Sequence, residues 1–165
     1  MNFKCYDVVE IQGKRYVVTE VISYQEFIIE KTVNYTLNDE MYNNELGTHK
    51  GAKNWTEYGL MPVDGEDKKW LTIVNGEKDY CTFSETVLRS RPPKGYKLYD
   101  KGLQRVMSVE GESKARSGDK ADYKEYRSIK KDKTNVFFIE DWHGGLTDQA
   151  QGERIRLSDV HRRRD

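Results

Sequence analysis

Glycine- and proline-bearing reversals cut this chain into short segments dense in Val, Ile, Tyr and Trp, a pattern that leaves little room for helices. The reversals fall at Gln12-Gly13-Lys14, Pro62–Asp67, Asn75-Gly76, Arg89–Gly95, Asp100-Lys101-Gly102, Ser117-Gly118-Asp119 and the glycine-rich His143–Gly152, with a further break at the charged Lys130–Lys133. They recur about every 8–12 residues over much of the chain, the rhythm of an antiparallel meander, barrel or sandwich. Between them, Arg15–Tyr24, Asn54–Met61, Lys69–Val74, Glu77–Phe83, Tyr96–Tyr99, Leu103–Glu110, Tyr123–Ile129, Val136–Trp142 and Arg154–Leu157 are predicted strands. The expected fold is therefore all-β and mostly antiparallel, with two β-meander halves, each a small barrel or sandwich, packed together.

Side-chain alternation assigns faces. Glu26–Leu37 alternates Phe27, Ile29, Lys31, Val33 and Tyr35 against Ile28, Glu30, Thr32 and Asn34, a period of two. In Trp55–Leu60, Trp55 and Glu57 share one face while Thr56, Tyr58 and Leu60 share the other. Asn75-Gly76 accepts positive φ at both positions, which predicts a type I′ hairpin with Leu71 opposite Tyr80 and Trp70 opposite Cys81. Residues 38–53 break the pattern; they read as a loop or as a short helix over Asp39–Leu46 capped by Asn38 and ended by Gly47.

The paired prolines of Arg89–Gly95 cannot join a sheet interior, so residues 89–95 are the predicted linker between halves at 1–88 and 96–165. The halves match in order and spacing. Trp55-Thr56-Glu57-Tyr58 precedes Trp70 as Tyr123-Lys124-Glu125-Tyr126 precedes Phe138, which suggests an internal repeat with 38–53 inserted in the first copy. Their charges are opposite: residues 1–88 carry 15 acidic and 9 basic side chains, residues 89–165 carry 13 and 19. The simplest consequence is attraction across an internal interface.

No apolar run suits a signal core or a membrane-spanning helix, and two cysteines, Cys5 and Cys81, are too few for a disulfide scaffold. A cytoplasmic protein is expected, with association at a membrane surface as the variant.

The constellation Gly13-x-x-Tyr16-Val17, Trp55-x-Glu57-Tyr58-x-Leu60 and Trp70-Leu71, followed by Gly102, Gly111-Glu112, Asp122-Tyr123, Glu140-x-Trp142 and Gly152-Glu153, resembles a bacterial family of domains of unknown function, DUF4178. The likeness covers nearly the whole chain, and the 38–53 segment is longer than is usual in the family. It implies no catalytic residues. Members of that family tend to be encoded near membrane-stress or polyamine-related proteins, so the resemblance implies an accessory role near a membrane.

The chemistry of the residues agrees with that silence. Cys5 and Cys81 have His49, His143 and His161 as distant bases, but no local context activates either thiol. The histidines and cysteines lack metal-ligand spacing, Glu140-Asp141-x-His143 is split by alternation, and no phosphate-cradling glycine loop is present. No cofactor and no metal are expected. Trp55, Glu57 and Tyr58, with Tyr123, Glu125 and Tyr126, are the candidate ligand- or partner-binding residues, since a carboxylate beside an aromatic ring suits a cationic group. The competing expectation is architectural: the carboxylates fix the meander, and Trp55, Trp70 and Trp142 fill the core. A basic patch is formed by Arg89, Arg91, Lys94, Lys97, Lys101, Arg105, Arg162, Arg163 and Arg164. The function expected from these features is a non-catalytic binding or accessory module acting through contacts with a protein partner. The alternatives are anionic lipid or single-stranded nucleic acid on the basic second half, or an enzyme whose acids are Glu57 and Glu125.

Overall fold

The computed structural model describes residues 1–27 and 53–163, and the described residues are all-β. Its strands are β1 (Val8–Ile11), β2 (Lys14–Phe27), β3 (Asn54–Pro62), β4 (Lys69–Val74), β5 (Tyr80–Thr86), β6 (Lys97–Gly111), β7 (Lys120–Lys130), β8 (Lys133–Trp142), β9 (Thr147–Arg156) and β10 (Val160–Arg163), with a single 3-10 turn at Leu157–Asp159. Neighbours run β10-β1-β2-β3-β4-β5-β9-β8-β7-β6, and β6 returns to pair with β2. Strands β2 to β9 thus close an eight-stranded antiparallel cylinder, which leaves no edge among its own strands. Residues before the proline-bearing connection supply β2–β5 and those after it supply β6–β9; the seams β5–β9 and β2–β6 join the two sets.

Strand β2 makes closure possible by serving two neighbours on one edge. Its start, Lys14–Val17, pairs with β1, and its end, Glu20–Phe27, pairs with β6. The switch falls at a bulge: Val18 pairs with Leu60 and Glu20 with Gly59, leaving Thr19 over. One extra residue reverses which side chains face in. Tyr16 and Val18 therefore point outward, while Glu20, Ile22 and Tyr24 point into the cylinder. Gly111 ends β6 against this bulge at φ +84°, and a Cβ there would fall 2.2 Å from the Thr19 carbonyl oxygen.

The main hydrophobic core lies outside the cylinder. Phe3, Val9, Ile11, Leu157 and Val160, from the N-terminal segment, β1, the 3-10 turn and β10, cover Tyr58, Leu60, Leu71, Ile73, Cys81 and Phe83 on the outer wall. Phe3 meets Tyr58 edge-on at 5.3 Å and Tyr16 meets Phe83 at 5.8 Å. Leu71 is wholly buried here. Leu71→Ala is expected to cost about 3 kcal/mol, read as a lower urea midpoint with an unchanged slope.

Four local expectations are corrected. Asn75-Gly76 does not close a type I′ hairpin: only Gly76 has positive φ, Glu77 N–H donates to Val74 O at 3.0 Å, and the register sets Leu71 opposite Phe83 and Trp70 opposite Ser84. The connection runs on to Asp79, whose carbonyl accepts Leu157 N–H at 2.9 Å, and this odd shift puts Cys81 on the same side as Leu71. The two-residue turn with both φ positive is Gln12-Gly13, between Ile11 and Lys14. Asp100-Lys101-Gly102 is an irregularity within β6, not a reversal, and Gly102 lies under the Tyr123 ring. Strand β9 begins at Thr147, well before Arg154. The continuation of the Glu26–Leu37 strand past Phe27 and the Asp39–Leu46 helix lie outside the described residues.

A polar, aromatic lumen as the candidate functional site

All eight strands of the cylinder contribute to the wall of an internal cavity of about 1510 Å³ that opens to solvent. This is larger than most small-molecule pockets. Strand alternation fills its wall with polar and aromatic side chains: Glu20 and Tyr24 from β2, Trp55 and Glu57 from β3, Trp70 and Thr72 from β4, Gln104 from β6, Tyr123 and Glu125 from β7, Glu140 and Trp142 from β8, and Arg154 from β9. The three tryptophans of the chain all face this space. The expectation that they fill the core holds for Trp55, which is buried in a second, inner cluster with Ile22, Tyr24, Val106 and Tyr123; Trp70 and Trp142 pack against that cluster while also lining the cavity.

Several acids in and beside the lumen carry a cation. Lys68 Nζ lies 2.5 Å from Glu20, which is 1% exposed, and 4.3 Å from the Trp70 ring centroid. Lys53 Nζ lies 2.6 Å from Asp100 and 3.4 Å from Glu26, and stands 5.9 Å from the Trp55 ring. Arg154 spans Glu77 at 2.7 Å and Thr82 at 3.0 Å, and Arg127 holds Glu125. These pairs meet the requirement that a buried charge be compensated.

Glu57 and Glu140 differ. Among the described residues neither has a cation in ion-pair contact; their hydrogen-bond partners are neutral, the Tyr24 hydroxyl for Glu57 and the Gln104 amide for Glu140. Tyr24 is itself stacked on Trp55 at 5.5 Å, and Trp55 meets Tyr123 edge-on at 5.8 Å, so the first of these carboxylates is held by a packed aromatic frame. Burial pushes Glu57 well above the ordinary carboxylate range, and the neighbouring charges of Glu140 and Glu20 push it further. Burial likewise raises Glu140 to about 7, against the Gln104 bond that pulls the other way.

The structure sorts the sequence-derived candidates by face. Trp55, Glu57, Tyr123 and Glu125 line the lumen together. Tyr58 and Tyr126 do not: Tyr58 belongs to the outer core and accepts a bond from Phe3 N–H, and Tyr126 lies 6.4 Å from Phe137. The acids that act electrostatically on Glu57 are Glu140 and Glu20, whereas Glu125 is neutralised by Arg127. The basic candidates are dispersed along the fold. Arg89, Arg91 and Lys94 are exposed in the β5–β6 connection, and Lys97 and Lys101 are exposed on β6. Arg105 bonds Gln25, Arg162 lies 3.7 Å from Asp7, and Arg163 lies 3.2 Å from Glu10; Arg164 is outside the described residues. Glu140, Gln104, Glu20 and Lys68 were not singled out as ligand-binding candidates from the sequence. Their one signal is alternation, as in Phe138-x-Glu140-x-Trp142, which places these side chains on one face without saying that the face is enclosed.

Neither thiol is prepared for nucleophilic chemistry. Burial raises Cys81 to about 11, and burial with the charges of Glu110, Glu20 and Asp7 raises Cys5. Among the described residues no three His, Cys, Asp or Glu side chains converge as metal ligands, and no helix is long and apolar enough to cross a membrane.

Closure around a polar, aromatic, acid-bearing interior defines a β-barrel with a ligand-sized lumen. The chain belongs to the family described as domain of unknown function (DUF4178), whose family model matches residues 5–157. No curated protein and no solved structure matches it.

Proposed function

We propose that the protein is a non-catalytic binding module that takes a small organic cation into its barrel. The supporting observation is the pair Glu57 and Glu140, two lumen carboxylates without a cationic partner among the described residues, in a cavity walled by Trp55, Trp70, Trp142, Tyr24 and Tyr123. A cation entering this space gains attraction from carboxylates in a low-dielectric setting and from the negative faces of the rings. A neutral guest of the same shape gains only apolar contact, and an anion meets repulsion.

Calorimetric titration at pH 8 with three guests of equal chain length tests this. Hexylammonium is expected to bind with unit stoichiometry, hexan-1-ol at least about tenfold more weakly, and hexanoate more weakly still, since about 1.4 kcal/mol of charge attraction is tenfold in affinity. Equal binding of hexanoate and hexylammonium would refute the proposal.

A further inference from the structure

Of the three lysines that line the lumen, Lys53, Lys68 and Lys114, the first two are seated alike. Lys68 Nζ donates to Glu20 at 2.5 Å over the face of Trp70. Lys53 Nζ donates to Asp100 at 2.6 Å, faces Glu26, and stands over Trp55. Each seat is one indole face with one carboxylate oxygen at hydrogen-bond distance from the ammonium.

Trp142 heads a third corner that brings an indole and carboxylates together. Glu140 stands two residues before it on β8, so both side chains project to the same side. Asp148 is the direct cross-strand partner of Glu140 on β9, and it accepts the Trp142 indole N–H at 3.1 Å. Among the described residues no lysine or arginine stands over Trp142, and none forms an ion pair with Glu140 or Asp148. Asp148 is exposed and Trp142 half-buried, so the corner faces the mouth of the cavity, with Glu140 on its inner side.

Building on the cation reading above, we propose that Trp142, Glu140 and Asp148 form the seat for the ligand's ammonium group, and that the ligand is a primary amine carried on an apolar chain or ring. The two filled seats supply the reason for a primary amine: in each, the ammonium donates an N–H hydrogen bond to a carboxylate oxygen, which a quaternary ammonium cannot do. The rest of the lumen, lined by Trp55, Tyr24 and Tyr123, takes the apolar remainder.

The test is calorimetric binding of hexylammonium and hexyltrimethylammonium at pH 8 to the wild type, Glu140→Gln, Asp148→Asn and, as a control on the far side of the fold, Glu10→Gln. The wild type is expected to bind the primary amine at least about tenfold more tightly than the trimethyl analogue, on the scale of one charge-assisted hydrogen bond. Hexylammonium affinity should fall at least about tenfold in Glu140→Gln, fall less in the exposed Asp148→Asn, and stay within about twofold in Glu10→Gln. Undiminished binding by both Glu140→Gln and Asp148→Asn would overturn the seat while leaving the lumen as a cation site. Failure of the wild type to bind hexylammonium would overturn both. Equal affinity for the two ammonium probes would overturn the assignment of a primary amine.

Discussion

Glu140→Gln is expected to be more stable than the wild type at pH 8 and nearly equal to it at pH 5. The folded chain holds the Glu140 proton up to about pH 7, whereas the unfolded chain releases it near the ordinary value of 4.5. Between those values the folded state binds more protons than the unfolded one, so stability falls as pH rises, and above about pH 7 the loss is complete. A neutral glutamine removes that loss and still accepts the Gln104 amide bond. At about 1.4 kcal/mol per unit, the difference at pH 8 is on the order of 3 kcal/mol. Urea midpoints of the two proteins at pH 5, 6, 7 and 8 check it: the gap should open across this range, and a constant gap would contradict the account. Glu57 and Glu140 act on each other, so Glu57→Gln should show a gap of the same sign, and the double variant should gain less than the sum. A binding site that lowers the stability of its own fold is the expected signature of acids kept for a ligand.

Gly152→Ala is expected to be the most damaging single-methyl change in the barrel. Gly152 sits on β9 between Ser84 of β5 and Val136 of β8, and a Cβ there would lie 2.0 Å from the Phe83 carbonyl oxygen and 2.5 Å from the Ser84 Cα. Both are backbone atoms of the strand across the β5–β9 seam, so the clash can be relieved only by parting the strands that close the cylinder. The loss should exceed about 3 kcal/mol, above the usual range for an added methyl group. Gly118→Ala provides the contrast: Gly118 has φ +95° with nothing near its Cβ position, and only the backbone strain of about 1 kcal/mol applies. Denaturation of both variants, with amide exchange along β5 and β9, checks the pair. Equal losses would place the constraint at Gly152 in something other than the seam.

The strand content was legible because period-two alternation and glycine turns are local. Trp55 with Glu57, and Tyr123 with Glu125, were placed on their correct faces by the same rule. What alternation cannot tell is whether a polar face meets bulk water or an enclosed space. That depends on β5 finding β9 and β2 finding β6, pairings between distant parts of the chain. It depends also on a single supernumerary residue, Thr19, which turns Glu20 inward although Val18 faces out. The sequence offers Glu140 only as a metal ligand beside Asp141 and His143, which alternation splits; that it shares an enclosed space with Glu57 depends on the distant pairings. The Asn75-Gly76 register failed because Asp79 and Glu77 are bound by the 157–163 end of the fold and by Arg154, long-range contacts that widen the connection beyond two residues.

The account places every tryptophan of the chain in one lumen and makes that lumen the binding site. Nitrogen-15 correlation spectra of the three indole N–H groups, recorded while hexylammonium is added, address it directly. Saturable shifts of all three signals are expected, largest for Trp142, with none on addition of hexanoate. Indole signals that stay fixed while backbone amides on the outer surface move would contradict it.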